Sequence, residues 1–330
     1  MRIVAIQRMA FATIVAAATL SLLSAPAAAQ EHVWRHGLIK AKADAGIFMM
    51  VTTRDFAKKQ GHDLQISEFK DDQIALKALI AGEVDSFEGG PQGVFTADSK
   101  GGDVRILGCH WVVVPHGIYA KSDIKKVEDL KGKQIAVSAP NSMPDTLARA
   151  ALTKYGVNPA DVKLAALGGD NDRYKALVSG VVEAAVVSNE YEPEAPKDIH
   201  LLVAGRDAVP KLLRVCMMSS AKTLAAKGDD AARFLAAEMN ALHFALTHKA
   251  ETVALTAQII KTKADDPRPA FVYDDAVKHH AVDPTLPLPM DKFAWVQDQL
   301  VKAGKITTPL DIKSVIAPEI REKALKMSGS

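Results

Sequence analysis

Short apolar runs alternate with stretches of helical periodicity through the first two thirds of the chain, and the last third is mainly helical. The pattern predicts a strand over 33–38, a helix over 44–60 closing near Gly61, and a strand over 63–69 carrying Leu64, Ile66 and Phe69. A helix over 71–81 and a strand over 83–87 follow, and Gly89, Gly90 and Pro91 break the chain before a helix from about Gln92. A strand over 104–109 runs on through 111–114. From Lys121 the alternation resumes with a helix over 126–130, the strand Gln134–Val137 and a helix over 143–155 that stops at Gly156. Mostly apolar strands separated by helices are the mark of a parallel α/β sheet. Beyond residue 220 the pattern changes. A helix over 229–247 gathers Phe234, Leu235, Met239, Leu242 and Leu246 near one face, and a second covers 249–262. Residues 265–269 read as a turn rich in breakers, and Pro284, Pro287 and Pro289 precede a helix over 290–302 closed by Gly304. This part has too little strand for a third α/β domain, so it is expected to pack onto the others.

One unit occurs twice. Residues 77–85 read KALIAGEVD and residues 175–183 read KALVSGVVE. Each is a helix end, a glycine (Gly82 or Gly180) where a left-handed cap stops the helix, and then a short strand over 84–87 or 182–187. A helix that leads into a strand in the same way twice implies two similar α/β units.

A chain of 330 residues, 48% of them hydrophobic, is too apolar for disorder and long enough for two domains. It carries 41 Lys and Arg against 39 Asp and Glu. Residues 1–29 read as a secretory signal peptide. Arg2 and Arg8 form the positive end, an uncharged apolar stretch covers 9–23, and Ala27, Ala28 and Ala29 suit cleavage before Gln30. The apolar stretch is shorter than the roughly 20 residues that span a bilayer. Removing Arg2 and Arg8 leaves a formally neutral chain, which offers no bulk electrostatic case for nucleic acid or an anionic membrane as partner. An aromatic share of 5% also argues against a base-stacking surface. Two cysteines, Cys109 and Cys216, survive cleavage. Export permits a bridge between them, and two inert buried thiols are the other reading. No Cys-x-x-Cys occurs.

The segment ADAGIFMMVTTRDFAKKQGHDLQI from Ala43, ALKALIAGEVD from Ala75, YAKSDIKKVEDLKGKQIAVS from Tyr119, KYGVNPADVKL from Lys154 and WVQDQLVKAGKI from Trp295 together resemble a known family. It is that of the periplasmic solute-binding proteins of ABC importers, in the branch with sulfonate-, nitrate- and thiamine-precursor-binding members. The resemblance spans nearly the whole mature chain. It implies the type II periplasmic binding protein fold: two mixed-sheet lobes, a hinge crossed twice, and a helical C-terminal segment. Lobe 1 would be 30–116 with 215–330, lobe 2 would be 117–214, and the crossings would fall near 115–120 and 210–215. It further implies a soluble, monomeric periplasmic protein that captures a small organic solute, anionic or not, between the lobes and delivers it to a membrane permease. On that topology Cys109 would precede the first crossing and Cys216 would follow the second.

In open α/β sheets ligands sit beyond the C-terminal ends of strands. The first such segment contains Lys40, Asp44 and Phe48, where either charge could meet a charged ligand or simply be solvated. The second contains Gly90 and Pro91, in a glycine turn that lets backbone approach a ligand; Glu88 beside it opposes a strongly negative one. The third contains Ser138, Asn141 and Ser142, a loop into a helix that offers N–H groups and hydroxyls to an anion, with Ser142 equally fit as a plain cap. The fourth contains Asn189 and Tyr191, the ring able to stack on an organic ligand. Trp111, His116 and 170–172 are further wall residues, and Arg214 at the second crossing could take a carboxylate or sulfonate with its planar fork.

No catalytic, metal or cofactor constellation emerges. His279 and His280 are adjacent rather than spaced i, i+4 as zinc-binding helices need, and neither a nucleophile elbow nor a phosphate loop occurs. The alternatives to an importer's receptor are a periplasmic sensor or orphan delivery protein and, further off, an enzyme resembling thiamine-pyrimidine synthases.

Overall fold

The computed structural model describes residues 32–329. The signal peptide read over 1–29, and its cut before Gln30, lie outside the described residues. In chain order the first stretch holds β1 (His32–Ile39), α1 (Ala45–Phe48), α2 (Phe56–Lys59), β2 (His62–Phe69), α3 (Asp72–Ala81), β3 (Ser86–Gly89), α4 (Gln92–Asp98) and β4 (Val104–Trp111). The middle stretch holds β5 (His116–Lys121), β6 (Gln134–Val137), α5 (Met143–Lys154), β7 (Lys163–Ala166), α6 (Asp170–Val178), β8 (Ala184–Ser188), β9 (Ile199–Ala204) and the single turn α7 (Gly205–Ala208). The last holds β10 (Val215–Ser220), α8 (Ala221–Thr247), α9 (Lys249–Ile259), α10 (Pro267–Lys278), α11 (Met290–Lys302) and α12 (Pro318–Ser328).

The strands form two sheets of identical plan, β2-β1-β3-β10-β4 and β7-β6-β8-β5-β9. In each, the central strand (β3 or β8) has a parallel neighbour (β1 or β6) on one side and an antiparallel one (β10 or β5) on the other. The antiparallel strand is in both cases the one laid down just after the chain has crossed from the other sheet. The repeated sequence unit is the helix feeding the central strand. Gly82 and Gly180 both take a left-handed φ, 78° and 76°, and the next residue's N–H bonds back to Ala78 or Ala176 at 2.9 Å.

Several elements differ from the sequence pattern, each for a local reason. The single helix expected over 44–60 is broken into α1, a 3-10 turn Met50–Thr52 and α2. The hydroxyls of Thr52 and Thr53 bond back to the carbonyls of Met49 and Met50, and Arg54 and Asp55 turn left-handed. Strand β3 starts at Ser86 rather than 83 because Asp85 is engaged first: its carboxylate takes the Arg35 N–H at 3.0 Å and Lys227 Nζ at 3.0 Å. Strand β4 stops at Trp111, since the Val112 N–H leaves the sheet for the Ala281 carbonyl. The chain therefore crosses at 112–115, a little before the expected place. Residues 127–130 close as one 3-10 turn rather than an α-helix. Helix α8 begins at Ala221, capped by Ser220, and is kinked at Lys227 before Gly228. The breaker-rich turn over 265–269 is the start of α10. Asp266 caps it, and Pro267 and Pro269 occupy the first turn, where a missing N–H leaves nothing unpaired.

The helical last third packs on the first sheet. Phe234, Leu235, Met239 and Leu242 of α8 join Trp34, Leu107 and Met217 in one apolar cluster. On the sheet's other face Leu79, Phe87, Phe95, Ile106 and Phe293 belong to a cluster that continues into the second sheet through Ile118, Leu147 and Val186. Cys109 on β4 and Cys216 on β10 are joined by a disulfide, which settles the question the sequence left open. Helix α1 sits tightly on α9: the Gly46 N–H donates to Thr256 Oγ1 at 2.9 Å, and a Cβ at Gly46 would run into the Thr252 carbonyl oxygen. Gly46→Ala is accordingly expected to destabilise the protein by about 1–3 kcal/mol through overpacking, read from urea unfolding. A neutral result would mean that α1 can shift off α9 freely.

Candidate functional site

A cavity of about 730 Å³ opens where the C-terminal ends of the strands of both sheets converge. One wall is the loop after β1 (40–44), the end of β2 and the end of β3; the other is Ser138 after β6, the start of α5, the start of α6 and the turn after β8. The loop after β1 spans the cleft. Lys42 Nζ reaches Asp170 Oδ2 at 2.6 Å, and the Ala43 N–H donates to Glu190 Oε2 at 2.8 Å. Asp44, in the same loop, pairs with Arg214, which arrives just before β10.

Asp170 is the hub of the second wall. Besides Lys42 it binds Arg173, lies 3.5 Å from His116 Nε2 and accepts the Ser188 N–H at 3.3 Å. Burial opposes its charge, but Arg173, Lys42 and His116 outweigh that and hold the carboxyl well below its ordinary range. Asp44 is likewise held down: burial works against it, and Arg214 and Lys42 prevail. Three other lining carboxyls move the opposite way. Burial pushes partly buried Asp72 up to about 6 although the Gly90 N–H donates to it, and raises Glu190; it lifts Glu88 well above the ordinary value despite Arg214. Glu88 Oε2 meets His110 Nε2 at 2.7 Å, and burial lowers that imidazole to about 3, so it is neutral at pH 7.

Of the residues singled out in the sequence, Lys40, Asp44, Phe48, Gly90, Ser138, Tyr191 and Arg214 line the cavity, as do His116 and 170–172. Pro91, Trp111, Asn141, Ser142 and Asn189 do not line it. Trp111 lies fully buried under the wall, with the Arg214 guanidinium 3.9 Å from its ring and Phe48 stacked on it at 5.2 Å. Ser142 serves as the cap of α5, and the left-handed turn at Asn141 directs its N–H to Asp145. Asn189 is buried at the start of the turn after β8, and Pro91 precedes α4. The Tyr191 ring is already stacked on Tyr174, centroids 4.1 Å apart. Lys42, Asp72 and Arg173 were not singled out as cleft residues, and Glu190 lay in the fourth segment without a role assigned to its side chain. The loop position of Lys42 and Glu190 was visible in the sequence, but nothing local says which side chain of a loop turns inward. Among the described residues no group of three or more His, Cys, Asp or Glu side chains is placed to hold a metal ion.

Two mixed sheets of the same plan with a cleft at their strand ends define the type II periplasmic binding protein fold. The chain belongs to the NMT1/THI5 like family, whose model matches residues 43–252. Among solved structures it is similar to a protein from Bordetella bronchiseptica RB50, at 20% identity and a TM-score of 0.74 over 91% of this chain and 99% of that one. It is also similar to the periplasmic aliphatic sulphonate binding protein SsuA from Escherichia coli, at 20% identity and a TM-score of 0.71 over 88% and 99%. The periplasmic nitrate-binding protein NrtA from Synechocystis PCC 6803 matches at 15% identity and a TM-score of 0.75 over 90% and 89%. No curated protein matches the chain in sequence.

Proposed function

We propose that this chain is the extracytoplasmic receptor of an ABC importer: it captures a small organic solute, leaves it chemically unchanged, and presents its closed form to the membrane permease. The observation that carries this reading is the cavity of about 730 Å³ walled by both sheets, a size suited to a small organic molecule. The names of SsuA and NrtA, which share the fold, describe periplasmic binding of a sulphonate and of nitrate. The leader read over 1–29 supports export to the periplasm, with cleavage before Gln30. Among the described residues no helix is long and apolar enough to cross a membrane. In this reading lobe 1 is 30–116 with 215–330, lobe 2 is 117–214, and the protein works as a monomer.

A hinged pair of lobes closes on a solute because the closed form makes contacts the open form cannot. The bonds from Lys42 to Asp170 and from Ala43 to Glu190 are of this kind, since each joins the two walls. Small-angle scattering during titration with a binding solute should show the radius of gyration fall and saturate, and mass spectrometry should recover the solute unaltered. No contraction with a solute that raises the melting temperature, or a changed solute, would overturn the proposal. Lys42→Met removes one cross-cleft bond and should weaken solute affinity about tenfold, equivalent to 1.4 kcal/mol, in calorimetric titration. An unchanged affinity would mean that this bond plays no part in closure.

A further inference from the structure

The charges that line the cleft are unevenly matched. The four buried or partly buried cations share three carboxylates: Lys42 and Arg173 both on Asp170, Arg214 on Asp44, Arg268 on Asp266. Lys40 and Lys70 are exposed at the rim, where water screens them. Among the described residues no lysine or arginine forms an ion pair with Asp72, Glu88 or Glu190. Both glutamates are only 4% exposed, and each keeps one carboxyl oxygen, Oε1, without a hydrogen-bond partner, although the buried Glu238 carboxyl of α8 lies near Glu88 and the Tyr191 hydroxyl near Glu190. Buried polar atoms in folded proteins are nearly always partnered, so two such oxygens on the wall of one cavity call for a partner that enters it.

The two oxygens lie near the same end of the two central strands, though not at equivalent positions of the repeat. Glu88 lies at the C-terminal end of β3, and Glu190 follows the C-terminal end of β8; these are the equivalent central strands fed by the two copies of the repeated unit. We propose that Glu88 and Glu190 form a two-sided carboxylate clamp, one jaw from each sheet, and that the solute is an organic cation bearing N–H donors, such as an amine, amidine or guanidine. Burial keeps the empty clamp from holding two bare charges, since both carboxyls titrate above their ordinary value. A positively charged nitrogen between them supplies the missing donors and counter-charge together. Arg214 Nη1, also buried on this wall without a partner, would accept company from an uncharged acceptor elsewhere on the same solute. Its charge is already matched by Asp44, so it does not by itself demand an anion.

This inference rests on the solute-capture reading and is testable separately from it. Thermal-shift screening would use two panels of comparable size and shape: primary amines, amidines and guanidines in one, and carboxylates, alkanesulfonates and nitrate in the other. The proposal expects saturable stabilisation from members of the cationic panel. It also expects Glu88→Gln and Glu190→Gln, each retaining the unliganded melting behaviour of the parent, to lower affinity for the same compound at least tenfold. Hits confined to the anionic panel, or cationic hits whose affinity is the same in both variants, would overturn the clamp and leave solute capture standing. Silence from both panels would count against solute capture itself. Should Glu88→Gln disturb folding, Glu190→Gln alone decides, because Glu190 sits in a turn at the edge of the cleft rather than within a sheet.

Discussion

Asp170→Asn is expected to cost the folded protein about 3–5 kcal/mol, because it strands the Arg173 guanidinium in the interior. Arg173 is 2% exposed, and among the described residues Asp170 is the carboxylate with which it forms an ion pair; its other bonds go to the carbonyls of Val186 and Gly168. Asparagine keeps the volume but offers one neutral acceptor where Lys42, Arg173, His116 and the Ser188 N–H now converge on a charge. The carboxylate also stands at the first position of α6, where the helix dipole favours negative charge. The pH dependence has a definite sign. The folded carboxyl titrates well below its unfolded value of about 3.9, so its contribution is fully present above that pH and fades as pH falls through the folded value. Denaturant unfolding at pH 7 should therefore show the full gap between parent and variant, and unfolding near pH 3 a narrower one. Adding Arg173→Met to the variant should restore part of the loss, since the uncompensated charge goes with it. A loss under 1 kcal/mol at pH 7, with no recovery in the double variant, would show that the hub is not structural.

Removing the Cys109–Cys216 bridge is expected to lower stability by about 2–5 kcal/mol while leaving solute affinity within about twofold. The bridge closes a loop of 107 residues, for which chain-entropy arguments give about 4.7 kcal/mol of stabilisation through the unfolded state. That loop contains all five strands of the second sheet, so in the unfolded chain the bridge holds the two crossings together. Both cysteines are fully buried, on neighbouring strands β4 and β10, and neither lines the cleft. Stability and binding should thus separate. Urea unfolding of the Cys109→Ala, Cys216→Ala double variant, beside oxidised and reduced parent, measures the first, and calorimetric titration with a binding solute the second. An affinity loss as large as the stability loss would mean that the bridge shapes the closed form rather than the unfolded chain.

The architecture was readable where local pattern decides it. Alternating apolar runs and helices marked α/β units, and the pair KALIAGEVD and KALVSGVVE marked the doubled plan that the two strand orders display. Boundaries were less readable where side chains compete with regular structure. Thr52 and Thr53 broke a helix that the apolar spacing would have continued, and Asp266 with two prolines started one where breakers suggested a turn. The cleft was legible at the level of loops rather than of side chains. All four segments named in the sequence reach the cavity or its immediate surroundings, while the side chains of Asn141, Ser142 and Asn189 are not among those that line it.

The sequence by itself determined the α/β class, the repeated unit, the helical last third and the strand-end loops around which a site could form, because each depends on residues within a turn or two of one another. Only the tertiary structure decided that Lys42 meets Asp170, that Arg214 is neutralised by Asp44, and that Glu88 and Glu190 are left with free oxygens in the same cavity. Lys42 and Asp170 are 128 positions apart, and Arg214 and Asp44 are 170 apart. Whether a loop charge is solvated, paired or left facing a ligand depends on which distant partner desolvates it first, and that is a property of the folded arrangement rather than of any local stretch.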